Sequence, residues 1–114
     1  MPEPISAAGL SHARCVPCEG GVPPLGEDEA RQYHGELGDD WHRVGTSRLE
    51  KEYRFIDFVE AMQFANRIGD LAEAEGHHPD LLVGWGRVKV YLWTHAADGL
   101  TKNDFILAAK ISEL

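Results

Sequence analysis

The chain has 114 residues, 43% of them hydrophobic, and its 19 acidic and 11 basic side chains give a formal net charge of −8. That is one domain's worth of sequence, with apolar side chains for one modest core and room for partner subunits to cover more surface. The acidic balance and the absence of any Lys/Arg cluster exclude a nucleic-acid backbone as the main partner, since phosphate binding needs a basic patch.

No apolar run approaches the roughly eighteen residues of a membrane span, so no membrane partner is expected. Met1-Pro2-Glu3-Pro4 lacks the basic start and apolar stretch of a secretory signal, and the expected location is the cytoplasm. Residues 1–24 are rich in Pro, Gly, Ala and Ser without periodicity. They form an N-terminal arm, ordered only if it docks on something. The arm holds one Cys-x-x-Cys unit, Cys15-Val16-Pro17-Cys18. No second such pair exists to close a zinc ribbon. Gly20-Gly21-Val22-Pro23-Pro24 follows, which breaks the helix that a thioredoxin-like motif would open. A reduced pair is the expected state. His12 offers a third ligand, so the rival is a zinc-stabilised arm built on His12, Cys15 and Cys18.

Glu27 to Leu37 is a helix with Glu27, Asp28 and Glu29 at the positive end of its dipole and an apolar stripe of Ala30, Tyr33 and Leu37. Trp41 to Val44 is a short strand, Gly45-Thr46-Ser47 a turn, and Arg48 to Phe55 a strand with one wet face. Asp57, with Glu60 three residues on, opens the longest helix in a capping-box-like start. Phe58, Ala61, Met62, Ala65, Ile68 and Ala72 give that helix one buried face. Gly76 is its expected C-terminal residue of positive φ, and Pro79 forbids continuation. Leu81 to Trp85 is strand-sized, Gly86-Arg87 a turn, and Val88 to Thr94 alternates, with Val88, Val90 and Leu92 on one face and Tyr91, Trp93 and His95 on the other. Thr101 caps a last, buried helix with Asp104 at the third helical position.

The order helix, hairpin, long helix, hairpin, helix implies an α+β fold: a four-stranded antiparallel sheet with three helices packed on one face. Tyr91 and Trp93 on its open face call for cover, by the arm or by another subunit.

The chemistry concentrates at Glu73-Ala74-Glu75-Gly76-His77-His78-Pro79-Asp80 and at Thr94-His95. Adjacent histidines on an extended stretch point in opposite directions, and there is no His-x-x-x-His helical pair, so no metal site is expected there. No Gly-x-Ser-x-Gly elbow supplies a nucleophile. Histidines exchange protons near neutrality, and two or three at one pocket can protonate a leaving hydroxyl while removing a proton elsewhere on the same molecule. The bland alternative is a polar helix-to-strand connection.

Glu73-x3-His77-His78-Pro79-x5-Trp85-x9-His95-x8-Asp104, followed through Gly99-Leu100-Thr101, resembles the signature of the pterin-4a-carbinolamine dehydratases, also called 4a-hydroxytetrahydrobiopterin dehydratases. The resemblance runs from about Leu25 to the C-terminus, making residues 25–114 the dehydratase-like domain. Cys15 to Leu25 resembles an N-terminal extension of some bacterial members. The resemblance implies a homodimer or homotetramer, a pterin substrate, no cofactor, and dehydration of a 4a-hydroxytetrahydropterin to the quinonoid dihydropterin in tetrahydrobiopterin recycling. It implies that His77 and His95 are acid–base residues, that His78 holds substrate, and that Trp41, Pro79 and Trp85 line or support the pocket. Asp104 would orient the constellation, or serve only as the helix cap. Glu73 would pair with His77 one turn on, or stay a solvated carboxylate. Relatives of this fold also act as a dimerisation cofactor or resemble assembly chaperones, so a non-enzymatic protein–protein module is the alternative.

Overall fold

A computed structural model describes residues 7–16 and 23–114. The elements run α1 (Ala7–His12), α2 (Glu27–Leu37), β1 (His42–Val44), β2 (Arg48–Arg54), α3 (Phe58–Glu75), β3 (Asp80–Gly84), β4 (Arg87–Leu92), a 3₁₀ turn (His95–Ala97) and α4 (Lys102–Ser112). The strands form one antiparallel sheet in the order β1-β2-β4-β3. The expected α+β architecture is therefore present, with α1 as a further helix.

Alternation decides the inner face of the sheet. Leu49 on β2 and Val88, Val90 and Leu92 on β4 are buried, and α3 and α4 cover them. On α4, every residue from Asn103 to Ala109 is buried, so α4 is the central rod of the molecule. Helix α3 contributes Ala61, Phe64, Ala65, Ile68 and Ala72. Phe58 and Met62, expected on that buried stripe, are instead exposed at 47% and 37%, because the buried face is centred on Ala61 and Ile68 and turned toward Phe64, which takes their place inside. Its ring packs on Tyr53 and Phe55, with centroids 4.6 and 5.2 Å away.

Three local boundaries differ from the sequence expectation. Strand β1 begins at His42, because Trp41 turns into the core at 1% exposure. The second hairpin turns at Trp85-Gly86 rather than Gly86-Arg87, with Gly86 at φ 72°. In the arm, α1 docks on α4 and buries Leu10 completely. Ser11 Oγ donates to Glu113 Oε1 (2.9 Å) and Lys110 Nζ donates to the Ser11 carbonyl (2.8 Å), closing that contact.

Candidate active site

Two chain segments leave the same end of the β3–β4 pair. Asp80, the first residue of β3, is in register with Tyr91, so Gly76-His77-His78-Pro79 enters the sheet beside the point where Trp93-Thr94-His95 leaves it. Each segment is held by its own backbone. Asp57 Oδ1 caps the start of α3 by accepting from the Glu60 N–H (2.9 Å). Gly76 ends the helix in the left-handed region (φ 67°, ψ 23°), and both its N–H and that of His77 return to the Ala72 carbonyl. A side chain at such a φ is strained, so glycine here lets the chain turn sharply into the histidine pair. On the other segment, Thr94 and Gly99 pair around the 3₁₀ turn that presents His95.

Asp104 joins the two segments. It is fully buried in the first turn of α4. Its Oδ2 accepts from the Thr101 N–H (2.9 Å), which is the helix cap, and from the Thr94 hydroxyl (2.9 Å). Its Oδ1 lies 2.6 Å from His77 Nε2. The Thr94 hydroxyl proton is committed to Asp104, so Thr101 Oγ1 donates to Thr94 Oγ1 across their 2.8 Å contact. An ionised carboxylate only accepts, so His77 carries its proton on Nε2 and keeps a lone pair on Nδ1. Asp104 is thus both cap and histidine anchor.

The cavity beside this dyad has a volume of about 360 Å³. Val16, His77, His78, Trp93, Thr94 and His95 are among its walls, with Pro79 at the strand entry. His77 is nearly enclosed, its side chain 11% exposed. His95 is exposed and stacks flat on Trp93, with ring centroids 4.5 Å apart and 9° between the planes. His78 Nε2 meets Glu73 Oε2 at 2.5 Å on the surface. Glu73 therefore pairs with His78, not His77, because the chain turns at Gly76 and Asp104 already occupies His77.

Two of the residues expected near the pocket lie elsewhere. Trp85 sits at the far end of the β3–β4 hairpin, 75% exposed, a five-residue strand away from the histidines. Trp41 is in the core, where its Nε1–H donates to Ser112 Oγ (2.9 Å) at the opposite end of α4 from Asp104. It braces α4 and lines no part of this cavity. Sequence reasoning did not single out Thr94 as an Asp104 partner, the Trp93 stack, or Val16. A Thr next to each landmark, Thr94-His95 and Thr101-x2-Asp104, was the available signal for the first. Cys18 lies outside the described residues. Among the described residues, no group of three His, Cys, Asp or Glu stands together to hold a metal ion, and no helix is long and apolar enough to cross a membrane.

The family model described as pterin 4 alpha carbinolamine dehydratase matches residues 23–114. The chain belongs to the pterin carbinolamine dehydratase family. It is 46% identical over 104 residues to a protein of Alkaliphilus metalliredigens named "Putative pterin-4-alpha-carbinolamine dehydratase", covering 91% of this chain and 94% of that one. It is 51% identical over 105 residues to a protein of the same name from Rickettsia bellii, covering 92% and 93%. Among solved structures, a transcriptional coactivator/pterin dehydratase from Brucella melitensis superposes with a TM-score of 0.71 at 31% identity, covering 79% of this chain and 96% of that one.

Proposed function

We propose that this protein is a 4a-hydroxytetrahydropterin dehydratase, a hydro-lyase acting by histidine acid–base chemistry. The observation that carries the proposal is a cavity lined by both His77, held from behind by the buried Asp104, and the stacked His95. Membership of the family supports the same substrate class.

In the reaction, the N5–H bond of the substrate breaks, an N5=C4a double bond forms, and the C4a–O bond breaks to release water. Each histidine has one part in this. His77 Nδ1, left with its lone pair by the Nε2–Asp104 bond, takes the N5 proton, and Asp104 stabilises the imidazolium that forms. His95, held flat against Trp93, delivers a proton to the leaving hydroxyl. Proton return from His77 to His95 through solvent resets the pair. His78 and its partner Glu73 stand at the rim, placed to hold polar groups of the pterin, and Pro79 fixes the backbone behind them.

The role is extended to recycling of a tetrahydropterin cofactor, for which dehydration of the carbinolamine is the chemically required step. A homo-oligomer, dimer or tetramer, is part of the same proposal, because Leu82 on the outer side of the sheet is 43% exposed and Tyr91 beside it only half-buried. Light scattering at micromolar concentration tests that part.

The main test generates 4a-hydroxytetrahydropterin in situ and follows its dehydration with wild type, His77→Ala and His95→Ala. Wild type accelerates the step, and each variant loses ~10²–10⁴-fold. Equal rates for all three at the uncatalysed level would sink the proposal.

A further inference from the structure

None of the reaction's proton transfers involves the N-terminal segment, yet Val16 stands in the wall of the histidine cavity. Its backbone is gripped from both ends. Asn103, 3% exposed in the first turn of α4, accepts from the Val16 N–H through Oδ1 (2.9 Å) and donates from Nδ2 to the Val16 carbonyl (2.6 Å). One residue earlier, the Cys15 N–H donates to Glu75 Oε1 (3.1 Å). Glu75 is itself nearly buried, with Lys110 Nζ and Arg14 Nε each 3.9 Å from its carboxylate.

These anchors occupy particular positions. Glu75 ends α3 two residues before His77, and Asn103 immediately precedes Asp104. The same two helix ends that set the dyad therefore set the strap, so Val16 is placed relative to the dyad with little slack. Asn103 grips Val16 through the Val16 backbone N–H and carbonyl, and Val16 is 65% exposed beside the cavity. An exposed aliphatic group held rigidly at the mouth of a polar pocket is a contact surface for an apolar part of a ligand.

We infer that residues 14–16 form a fixed strap over the active site, that Val16 is a substrate-contact residue shaping the pterin site, and that Asn103 is its positioning residue. The inference rests on the dehydratase proposal for the identity of the ligand. It gives residues of the Cys-x-x-Cys segment a part in substrate binding that needs neither a metal nor a disulfide.

The test uses the full chain with Val16→Trp, Val16→Ala and Asn103→Ala. Val16→Trp obstructs the cavity and raises KM more than about tenfold, and Val16→Ala raises it about threefold, with the larger share of each change in KM and the pH profile of kcat retained. Asn103→Ala speeds hydrogen exchange of the Val16 amide at least ~10-fold and raises KM alongside it. The Val16 variants keep the inference falsifiable even if Asn103→Ala fails to fold, since they leave Asn103 in place and it grips the backbone of Val16. A Val16→Trp protein with KM within about twofold of wild type overturns it.

The two proposals fail separately. If wild type does not dehydrate the carbinolamine, a stable tetrahydropterin is titrated into the same variants. Weaker binding by Val16→Trp then upholds the strap while the reaction falls, and equal binding, or none even to wild type, overturns the strap as well.

Discussion

Asp104→Asn separates the two jobs that one carboxylate holds. An asparagine has nearly the same shape and can still present its oxygen to the Thr101 N–H and Thr94 hydroxyl, so the helix cap survives. Its amide NH₂ then faces His77 Nε2 at the present 2.6 Å contact. Two donors cannot share that contact, so His77 must move its proton to Nδ1 or swing away. Either response removes the Nδ1 lone pair from the cavity. Losing a correctly protonated acid–base group costs kcat ~10²–10⁴-fold. The stability loss is smaller, about 1–3 kcal/mol, for one charge-assisted bond exchanged at a buried site. Asp104→Ala is the less informative variant. It strands the Thr101 N–H, the Thr94 hydroxyl and the His77 N–H together, at ~1–3 kcal/mol each against a domain stability of ~5–15 kcal/mol, and risks unfolding the chain. Urea unfolding and single-turnover dehydration on the same Asp104→Asn sample give both numbers. If its kcat stays within about threefold of wild type while the urea midpoint falls, Asp104 is a cap alone and the dyad argument is wrong.

Further outcomes follow from other parts of the molecule. Gly99→Ala would bring a Cβ to 2.8 Å from the Pro24 Cβ and 2.9 Å from the Thr46 carbonyl oxygen, so the loop carrying His95 must shift; a loss of ~1–3 kcal/mol in urea and a lower kcat are expected. Burial pushes the Glu36 carboxyl above its ordinary range, with Gln32 and Lys102 offsetting it only in part. The folded chain therefore binds that proton more tightly than the unfolded chain, and stability falls as pH rises from the ordinary glutamate value through the raised one. Glu36→Gln raises Tm at neutral pH, and the difference closes below about pH 4; an unchanged Tm at pH 7 refutes this. Tyr53 is pushed up to about 12 by burial, and the nearby Ser112 hydroxyl is already engaged with Trp41 and Ala108. The unfolded chain ionises first, near pH ~10, so stability is lost as pH rises from there towards 12. Tyr53→Phe removes that alkaline loss and changes neutral stability by less than ~1 kcal/mol; alkaline unfolding curves that coincide with wild type would count against it.

The elements were legible because their signals are local. Asp57-x2-Glu60 at one end and Gly76 with Pro79 at the other bound α3 without reference to anything else. The alternation of Val88, Val90 and Leu92 named the inner face of β4 in the same way. Helix α1 was not legible. Its six residues lie in a Pro- and Gly-rich stretch, and what holds Leu10 is a long-range contact with α4. Likewise, Phe58 and Phe64 lie about 120° apart on a helical wheel, on opposite edges of the stripe of Ala61, Ala65, Ile68 and Ala72, and only the packing of α3 decides which edge is covered.

For the candidate site, the sequence by itself singled out His77, His78 and His95 as the candidates for proton chemistry and grouped His77, His95 and Asp104 in one pattern. It left open whether Asp104 caps or orients, paired Glu73 with His77 or with solvent where it meets His78, and put Trp41 and Trp85 at a pocket that neither lines. Tertiary structure decided these, for one physical reason. Each depends on where segments distant in sequence end up: the antiparallel pairing of β3 with β4 brings Thr94 and His95 beside His77, and the burial of α4 brings Asp104 beneath them. The same pairing carries Trp85 to the other end of the hairpin, and the same burial draws Trp41 into the core and places Asn103 to grip the strap at Val16.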